Sequence, residues 1–280
     1  MHRIVTGVDG SEAASAALGW SADLAERTGS ELIVARTFEP PQAELPPGRD
    51  RELRAEEQAE LSRWCADRAA GVGEVRELLL DGPAPDALLR AARDADADLL
   101  VVGGRGAGGF ADLHLGSVAH HLTHHTTLPL AIVPPSGSSA VRHLVLGVDG
   151  SDGSLSAARA CADMAAGLSV GVTAVHAFEP VVEWVPEDDP RSWHTAVERR
   201  LREWTEPLRE RGVEVELDID RDSHPVDAIA RALAAHAGSA AIVGTRGAGG
   251  FSGLRLGRVP LQLVHHTGAA VVMVPAGSAG

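Results

Sequence analysis

The chain repeats one short segment, and this repeat limits the folds that are open to it. Residues 4–11 read IVTGVDGS, and residues 144–151 read LVLGVDGS, 140 residues later. A second pair follows, because VVGGRGAGGF at 101–110 returns as IVGTRGAGGF at 242–251. Two distant segments that recur at nearly one period indicate two domains of the same fold rather than a short-period solenoid.

The length of the chain agrees with a duplication. At 280 residues it holds two domains of ordinary size, which we place at residues 1–135 and 141–276. Aromatic residues make up only 3% and tyrosine is absent. The cores must therefore be built from alanine, valine, leucine and isoleucine, a composition that suits buried parallel strands.

Apolar runs alternate with stretches of helical period in both halves. This alternation predicts an α/β fold with five parallel strands per domain, right-handed crossovers and helices on both faces. Ser11 is placed to cap the first helix and Gly29 to end it. In the first half the apolar runs are 4–8, 32–38, 75–80, 98–103 and 129–133. In the second half they are 144–148, 170–178, 213–219, 240–244 and 270–274.

Charge and composition exclude several classes of function. The formal net charge is −14, which argues against nucleic acid or anionic lipid as a partner. No run is apolar enough to cross a membrane, and no signal peptide is recognisable. Cys65 and Cys161 stand at unrelated positions in the two halves and fit a reducing compartment. We therefore expect a cytoplasmic protein.

Two glycine-rich turns carry the strongest signal for a ligand. Asp9 follows the first predicted strand, and Gly103 and Gly106 follow the fourth; nine residues later Gly116-Ser117 opens a helix. In doubly wound sheets, ligands bind at the carboxyl ends of the strands. Glycines let backbone amides approach a charged oxygen, and a helix N-terminus with a hydroxyl group is an anion site. Because all 25 basic residues are arginine, no lysine can hold a phosphate.

These features together resemble the universal stress protein family, over the whole chain as a tandem pair. The resemblance rests on the Gly-x2-Gly-x9-Gly-Ser pattern, the strand-end Asp9, the Gly82-Pro83-Ala84 turn and the apolar run 97–103. It implies two domains of the adenine nucleotide alpha hydrolase type, packed as a pseudo-dimer. Similarity to the ATP-binding branch of the family implies ATP as the ligand. Dimerisation of the whole chain is also allowed.

The resemblance assigns roles residue by residue. It implies that Gly7, Val8 and Asp9 face the nucleoside and that Ala35 meets the adenine through its main chain. Ribose and phosphates would contact Gly103, Gly104, Arg105, Gly106, Gly116, Ser117 and Val118. The corresponding second set is Gly147, Val148, Asp149, Val175, Gly244, Thr245, Arg246, Gly247, Gly257 and Arg258.

Each of these residues also has a purely structural explanation. Asp9 can serve at the start of a helix, Ser117 can be a simple N-cap, and Gly103 and Gly106 can be tight-turn glycines. Their joint spacing favours a nucleotide site.

The two copies differ at the helix that follows the glycine-rich turn. Arg258 stands where the first copy has Ser117, and Pro260 replaces Ala119. Loss of the hydroxyl group removes a hydrogen bond to a charged oxygen, about 1.5–3 kcal/mol. Arg258 either blocks the pocket or pairs with a terminal phosphate. We predict that the first site binds ATP and that the second binds it more weakly or differently.

Neither a protein metal site nor catalysis is predicted. His120 and His124 are one helical turn apart, but no carboxylate or cysteine nearby completes a ligand set. A Mg²⁺ ion that accompanies ATP has Asp9 as its candidate ligand, through water. No residue stands where it could activate water, so ATP hydrolysis would be slow at most.

The sequence therefore predicts a nucleotide-dependent module for stress response and signalling, with adenine nucleotide and an unknown protein as its partners. Two alternatives stay open. One is a nucleotide-free scaffold that acts through protein contacts alone, and the other is a slow ATPase.

Overall fold

The computed structural model describes residues 1–39, 46, 48–106, 115–177, 190–247 and 256–277, without the side chains of 190–193. The chain divides into two compact units. The first comprises Met1–Thr126 and Leu130–Ala140, and the second comprises Thr127–Pro129 and Val141–Gly280.

The first unit is a parallel α/β sheet. Its strands lie in the order β3-β2-β1-β4-β5, and every neighbouring pair is parallel. The predicted alternation of strands and helices is confirmed, and the strand order reverses between β1 and β4. The elements are β1 (Arg3–Gly7), α1 (Glu12–Thr28), β2 (Glu31–Phe38), α2 (Arg49–Arg68), β3 (Val75–Asp81), α3 (Ala84–Asp94), β4 (Leu99–Gly103), α4 (Ser117–His125) and β5 (Leu130–Val133).

The second unit repeats this topology, with its strands in the order β8-β7-β6-β9-β10. One element differs. The helix equivalent to α2 ends at Trp204 and a short helix follows, because Pro207 has no amide hydrogen to continue the first helix. The elements are β6 (His143–Gly147), α5 (Asp152–Leu168), β7 (Val172–Ala177), α6 (Pro190–Trp204), α7 (Glu206–Glu210), β8 (Val215–Asp220), α8 (Pro225–Ala235), β9 (Ser239–Gly244), α9 (Arg258–His266) and β10 (Ala270–Val274).

The core of each unit is the central part of its sheet and the helix faces that cover it. The central strands read as continuous apolar runs because both of their faces are buried. In the first unit Ile4, Val5 and Ile33 have no exposed surface, and Trp20 of α1 is 1% exposed. No helix in the described part of the chain has the length and apolarity of a membrane span.

The helix that follows the first strand of the first unit begins and ends as the sequence predicts. Ser11 accepts a hydrogen bond from the amide of Ala14 at 3.1 Å, which caps α1. Gly29 ends α1 in the left-handed conformation, with φ of 67°. In the second unit Ser151 caps α5, and Ser169 ends it with φ of 54°. The loop after β1 is thereby held against the start of α1.

Candidate functional site

A cavity of about 330 Å³ lies at the carboxyl ends of β1 and β2 in the first unit. It stands beside the point where the strand order reverses, the usual position of ligands in such sheets. Its lining residues come from the two strand ends and from the start of α2: Val8, Asp9, Arg36, Thr37, Phe38, Glu39, Leu53 and Glu57.

Asp9 connects this cavity with the glycine-rich turn. The amide and the hydroxyl group of Ser11 donate to Oδ1 of Asp9, at 3.0 and 2.6 Å. A Cβ atom on Gly106 would lie 2.6 Å from Oδ2 of Asp9, closer than real Cβ atoms approach. Glycine at 106 therefore lets the turn after β4 lie directly against the carboxylate that lines the cavity.

The N-terminus of α4 lies against the same turn. The amide of Gly116 donates to the carbonyl of Gly104 at 2.8 Å, and a Cβ atom on Gly116 would lie 3.3 Å from the amide nitrogen of Gly106. Ser117 is exposed and is the first helical residue. The amides of Ser117 and Val118 have no acceptor within the helix, and they stand at its positive end. Residues 107–114 between the turn and the helix lie outside the described part of the chain.

The structure thus brings together most of the predicted first set. Asp9, Arg105 and Gly106 are exposed beside the start of α4, and Val8 lines the cavity with Asp9. The carbonyl of Gly104 ties the turn to α4.

Three residues of the predicted set lie in packed positions instead. A Cβ atom on Gly7 would meet Leu88 of α3 at 2.8 Å, and one on Gly103 would meet the main-chain carbon of Ala13 at 2.6 Å. Ala35 is fully buried, and its carbonyl accepts from the amide of Val8 at 2.9 Å. The packing of helices on the sheet explains both glycines, and the cavity begins one residue after Ala35.

Arg36 is a cavity residue that the motifs did not indicate. Its Nε atom lies 2.5 Å from Oε2 of Glu57, and its Nη2 atom lies 3.2 Å from Oε2 of Glu60. The side chain is only 12% exposed. Its Nη1 atom is buried and has no hydrogen-bond partner among the described residues. The sequence feature that points to Arg36 is an arginine inside the apolar run of β2, with an acidic helix next along the chain.

The lining of the cavity is acidic, with an apolar part. Among the lining residues that the structure describes, Asp9, Glu39 and Glu57 face one cationic side chain, that of Arg36. A phosphate group would be repelled there, whereas an uncharged group with amino hydrogens would find acceptors. Phe38 and Leu53 supply the apolar surface.

In the second unit, two aromatic side chains pack at the corresponding corner, which is the Asp-Gly-Ser segment between β6 and α5. Asp149 accepts from Ser151 at 3.0 and 2.6 Å, as Asp9 does from Ser11. A Cβ atom on Gly150, however, would collide with the indole ring of Trp204. His176, which has the register position of Arg36, is 6% exposed; its Nδ1 atom donates to the carbonyl of Val148 at 2.8 Å, and its ring lies 5.4 Å from that of Trp204.

The remaining second-set residues follow the pattern of the first. A Cβ atom on Gly147 would meet Ile229 at 2.9 Å, and one on Gly244 would meet the main chain of Gly153 at 2.5 Å. Val175, like Ala35, is buried. Glycine at 147 and 244 is therefore explained by packing, as at 7 and 103.

The helix start in the second unit offers different donors. The amide of Gly257 donates to the carbonyl of buried Thr245 at 2.7 Å, so the turn is held as in the first unit. Gly247 lies against the carboxylate of Asp149, and Arg246 is exposed. Exposed Arg258 replaces the hydroxyl group, and Pro260 removes one amide hydrogen from the first turn of α9.

The described part of the chain has no cluster of metal-binding side chains of the required size. It contains no group of three histidine, cysteine, aspartate or glutamate side chains that could hold an ion. The rings of His120 and His124 lie 4.8 Å apart on α4. Asp9 offers one carboxylate, whose Oδ1 atom already accepts two hydrogen bonds. This donor set fits a Mg²⁺ ion held mainly by phosphates and water.

Comparison with known proteins assigns the family. Residues 1–134 and 140–275 each match the universal stress protein family. A universal stress protein of Mycobacterium tuberculosis is 30% identical over 91% of this chain and 90% of its own. A crystal structure of a universal stress protein from Archaeoglobus fulgidus is 18% identical, with a TM-score of 0.70 over 98% of both chains.

Another universal stress protein, solved in complex with cAMP, is 29% identical over 48% of this chain and 97% of its own, with a TM-score of 0.39. The resemblance read from the glycine-rich turns is confirmed by the two family matches, which together span almost the whole sequence. The chain belongs to the universal stress protein family, with two such domains in tandem.

Proposed function

We propose that the first unit binds ATP and that the chain acts as a nucleotide-dependent module in the response to stress. One observation carries this proposal. The carboxylate of Asp9 lines the cavity and also lies against Gly106, so the cavity and the N-terminus of α4 flank the same side chain. A ligand with an uncharged ring for the cavity and an anionic tail for the N-terminus of α4 matches this arrangement.

The charges of the cavity and of the N-terminus of α4 decide which part of ATP would lie at each place. The described lining of the cavity carries three carboxylates and one guanidinium group, so it suits the base and repels the phosphates. The start of α4 supplies the amides of Ser117 and Val118, the Ser117 hydroxyl group and a positive helix end. Exposed Arg105 adds a cation beside them. In a chain without lysine, these groups replace a lysine-based phosphate site, and Mg²⁺ would arrive with the phosphates.

We propose a weaker or different second site. Trp204 packs on Gly150, His176 donates to the carbonyl of Val148, and the start of α9 has lost a hydroxyl group and an amide hydrogen. These differences favour one ATP per chain at moderate ligand concentration.

Signalling would follow from occupancy of the first site. ATP would tie the loop after β1 to the start of α4 and change the surface around Arg105 and Ser117, which are both exposed. A protein partner, a second copy of the chain included, would respond to that surface. Because the module depends on ATP, we assign it to the cytoplasm.

Titration calorimetry of the full chain with ATP and Mg²⁺ tests the proposal. We expect one tight site, which Asp9→Ala weakens about tenfold to a hundredfold by removing an acceptor beside the base. Asp149→Ala is the matched control, because it breaks the same two serine hydrogen bonds in the second unit. It should leave the tight site unchanged.

The scaffold alternative has a clear outcome in the same experiment. If the wild-type chain binds no added ATP, and denaturation of freshly purified protein releases no adenine nucleotide, the proposal fails. Packing alone accounts for Gly7 and Gly103, so their presence does not separate the two functions.

A further inference from the structure

We propose that Arg36 selects the base of the bound nucleotide by donating a hydrogen bond from Nη1 to a ring nitrogen. This inference rests on the proposed ATP site of the first unit. It gives a specificity role to a side chain that stands outside the glycine-rich turns and outside the Asp-Gly-Ser segment.

The first observation is a buried donor without an acceptor. Nη1 of Arg36 is buried, and no group in the described part of the chain accepts a hydrogen bond from it. Buried polar groups are rarely left unpaired, because removal from water costs free energy that only a new hydrogen bond offsets. Since Arg36 lines the cavity, a ligand in that cavity can supply the acceptor.

The second observation is that the guanidinium group is held in place by its other two nitrogens. Glu57 lies 2.5 Å from Nε, and Glu60 lies 3.2 Å from Nη2. A Cβ atom on Gly10 would lie 3.8 Å from Nη1, so this atom lies next to the loop after β1. The planar group is therefore oriented before the ligand arrives, which reduces the entropy lost on binding.

The chemistry of the cavity defines the acceptor. A guanidinium nitrogen can only donate, so its partner is an uncharged ring nitrogen or an oxygen. Adenine carries ring-nitrogen acceptors beside its exocyclic amino group. Asp9 can accept from that amino group while Arg36 donates to the ring, and the pair of contacts would fix the orientation of the base.

The second unit lacks this arrangement. His176 has the register position of Arg36, and its Nδ1 atom already donates to the carbonyl of Val148. The positions equivalent to Glu57 and Glu60 hold Val197 and Arg200. We therefore assign the selection of the base to the first unit.

The test compares ATP with 1-deaza-, 3-deaza- and 7-deaza-ATP, each of which lacks one ring nitrogen. Titration of the wild-type chain should show one analogue that binds on the order of tenfold more weakly than ATP. Arg36→Met keeps the length of the side chain and removes its donors. It should bind ATP about tenfold more weakly and no longer distinguish that analogue from ATP.

The outcomes separate this role from a structural one. If Arg36→Met lowers the affinity for all four nucleotides equally and keeps the discrimination, Arg36 is structural and the inference is overturned. If the wild-type chain binds ATP and all three analogues equally, the inference fails and the ATP site stands. A wild-type chain that binds no nucleotide overturns both.

Two further variants complete the test, one as a matched control and one as a replacement if Arg36→Met does not fold. His176→Met is the matched control in the second unit and should leave affinity and discrimination unchanged. If thermal melting shows that Arg36→Met is unfolded, Arg36→Lys replaces it. Lysine keeps the charge opposite Glu57 but lacks the fork of nitrogens, so loss of discrimination is again the supporting result.

Discussion

The two Asp-Gly-Ser corners have the same sequence and the same hydrogen bonds from serine to aspartate, but different surroundings. Around Asp9, the side chains of Arg36 and Glu57 line a cavity. Around Asp149, the ring of Trp204 packs on the glycine next to it. This motif builds the strand-to-helix corner, while residues from the following strand and helix decide what packs beside it.

The tryptophans show how the difference arises. Trp64 and Trp204 stand 140 residues apart in sequence, at matching positions of the two copies. The ring of Trp64 lies 4.9 Å below the guanidinium group of Arg68, and Glu60 lies nearer to Gly10. Trp204 instead ends α6, three residues before Pro207, and lies against Gly150.

The largest expected effect tests these two tryptophans. Trp204→Ala should lower the free energy of unfolding by about 3 kcal/mol, because it leaves a gap over Gly150 and beside His176. Trp64→Ala, which removes a partly exposed ring and one cation–π contact, should cost about 1 kcal/mol. Urea unfolding followed by circular dichroism measures both. Equal losses would contradict the difference between the corners.

The next largest effect tests the contact between the Asp9 carboxylate and the glycine-rich turn at Gly106. Gly106→Ala places a methyl group against Asp9 and should weaken ATP binding about tenfold, or 1.4 kcal/mol. Gly247→Ala makes the same clash with Asp149, so its cost in stability should be similar while tight ATP binding persists. Calorimetry and thermal melting of both variants give the comparison. If both variants lost ATP binding equally, the predicted difference between the two sites would be refuted.

Variants at Gly103 and Gly244 are poorer probes, since they clash with the main chain of α1 and α5.

A smaller effect separates the phosphates from the base. Ser117→Ala removes one hydroxyl donor and should weaken ATP binding about three- to tenfold. The affinity for adenosine should not change, because adenosine lacks the phosphates that would contact α4. Competition titrations with both ligands measure this ratio. An equal loss for adenosine would show that Ser117 does not act on the phosphates.

The smallest effect concerns pH and the second unit alone. The ring of His143 stacks on that of His236 at 3.8 Å, and burial, then the charge of His236, lowers the pKa of His143. The unfolded chain therefore binds a proton on His143 more tightly than the folded chain does, so protonation of His143 favours unfolding. The stability that neutral His143 preserves is complete above about pH 6.5 and is lost as the pH falls.

The matching position in the first unit is Arg3, which pairs with Glu31. We expect His143→Gln to reduce, by about 2 °C, the fall in melting temperature between pH 7.5 and 5.5. An unchanged fall would show that His143 does not contribute to acid sensitivity.

Much of the fold followed from sequence because it depends on local patterns. The apolar runs predicted the strands, and Ser11 and Gly29 were recognised as helix signals from their residue types alone. The roles of Gly7 and Gly103 were different, because helix packing requires them whether or not a ligand binds. Glycine serves both close helix packing and contact with a ligand, and only the neighbours of each glycine show which role it has.

Arg36 could not be assigned from sequence for a related reason. Its partners Glu57 and Glu60 lie on the next helix, and an arginine in a strand has no characteristic spacing that marks it as a binding residue. The unpaired state of Nη1 emerges only when the other two nitrogens are seen to be occupied.

Sequence alone was enough to predict that the chain is a tandem duplication, that each copy is a parallel α/β domain, and that Asp9 and Asp149 stand at the ends of the first strands. These properties depend on periodicity, residue type and spacing, which are all local. The different surroundings of the two corners, a cavity at Asp9 and the packed rings of Trp204 and His176 near Asp149, emerge only from the folded structure. The physical reason is that open space depends on contacts between residues far apart in the chain, which the repeated segment does not encode.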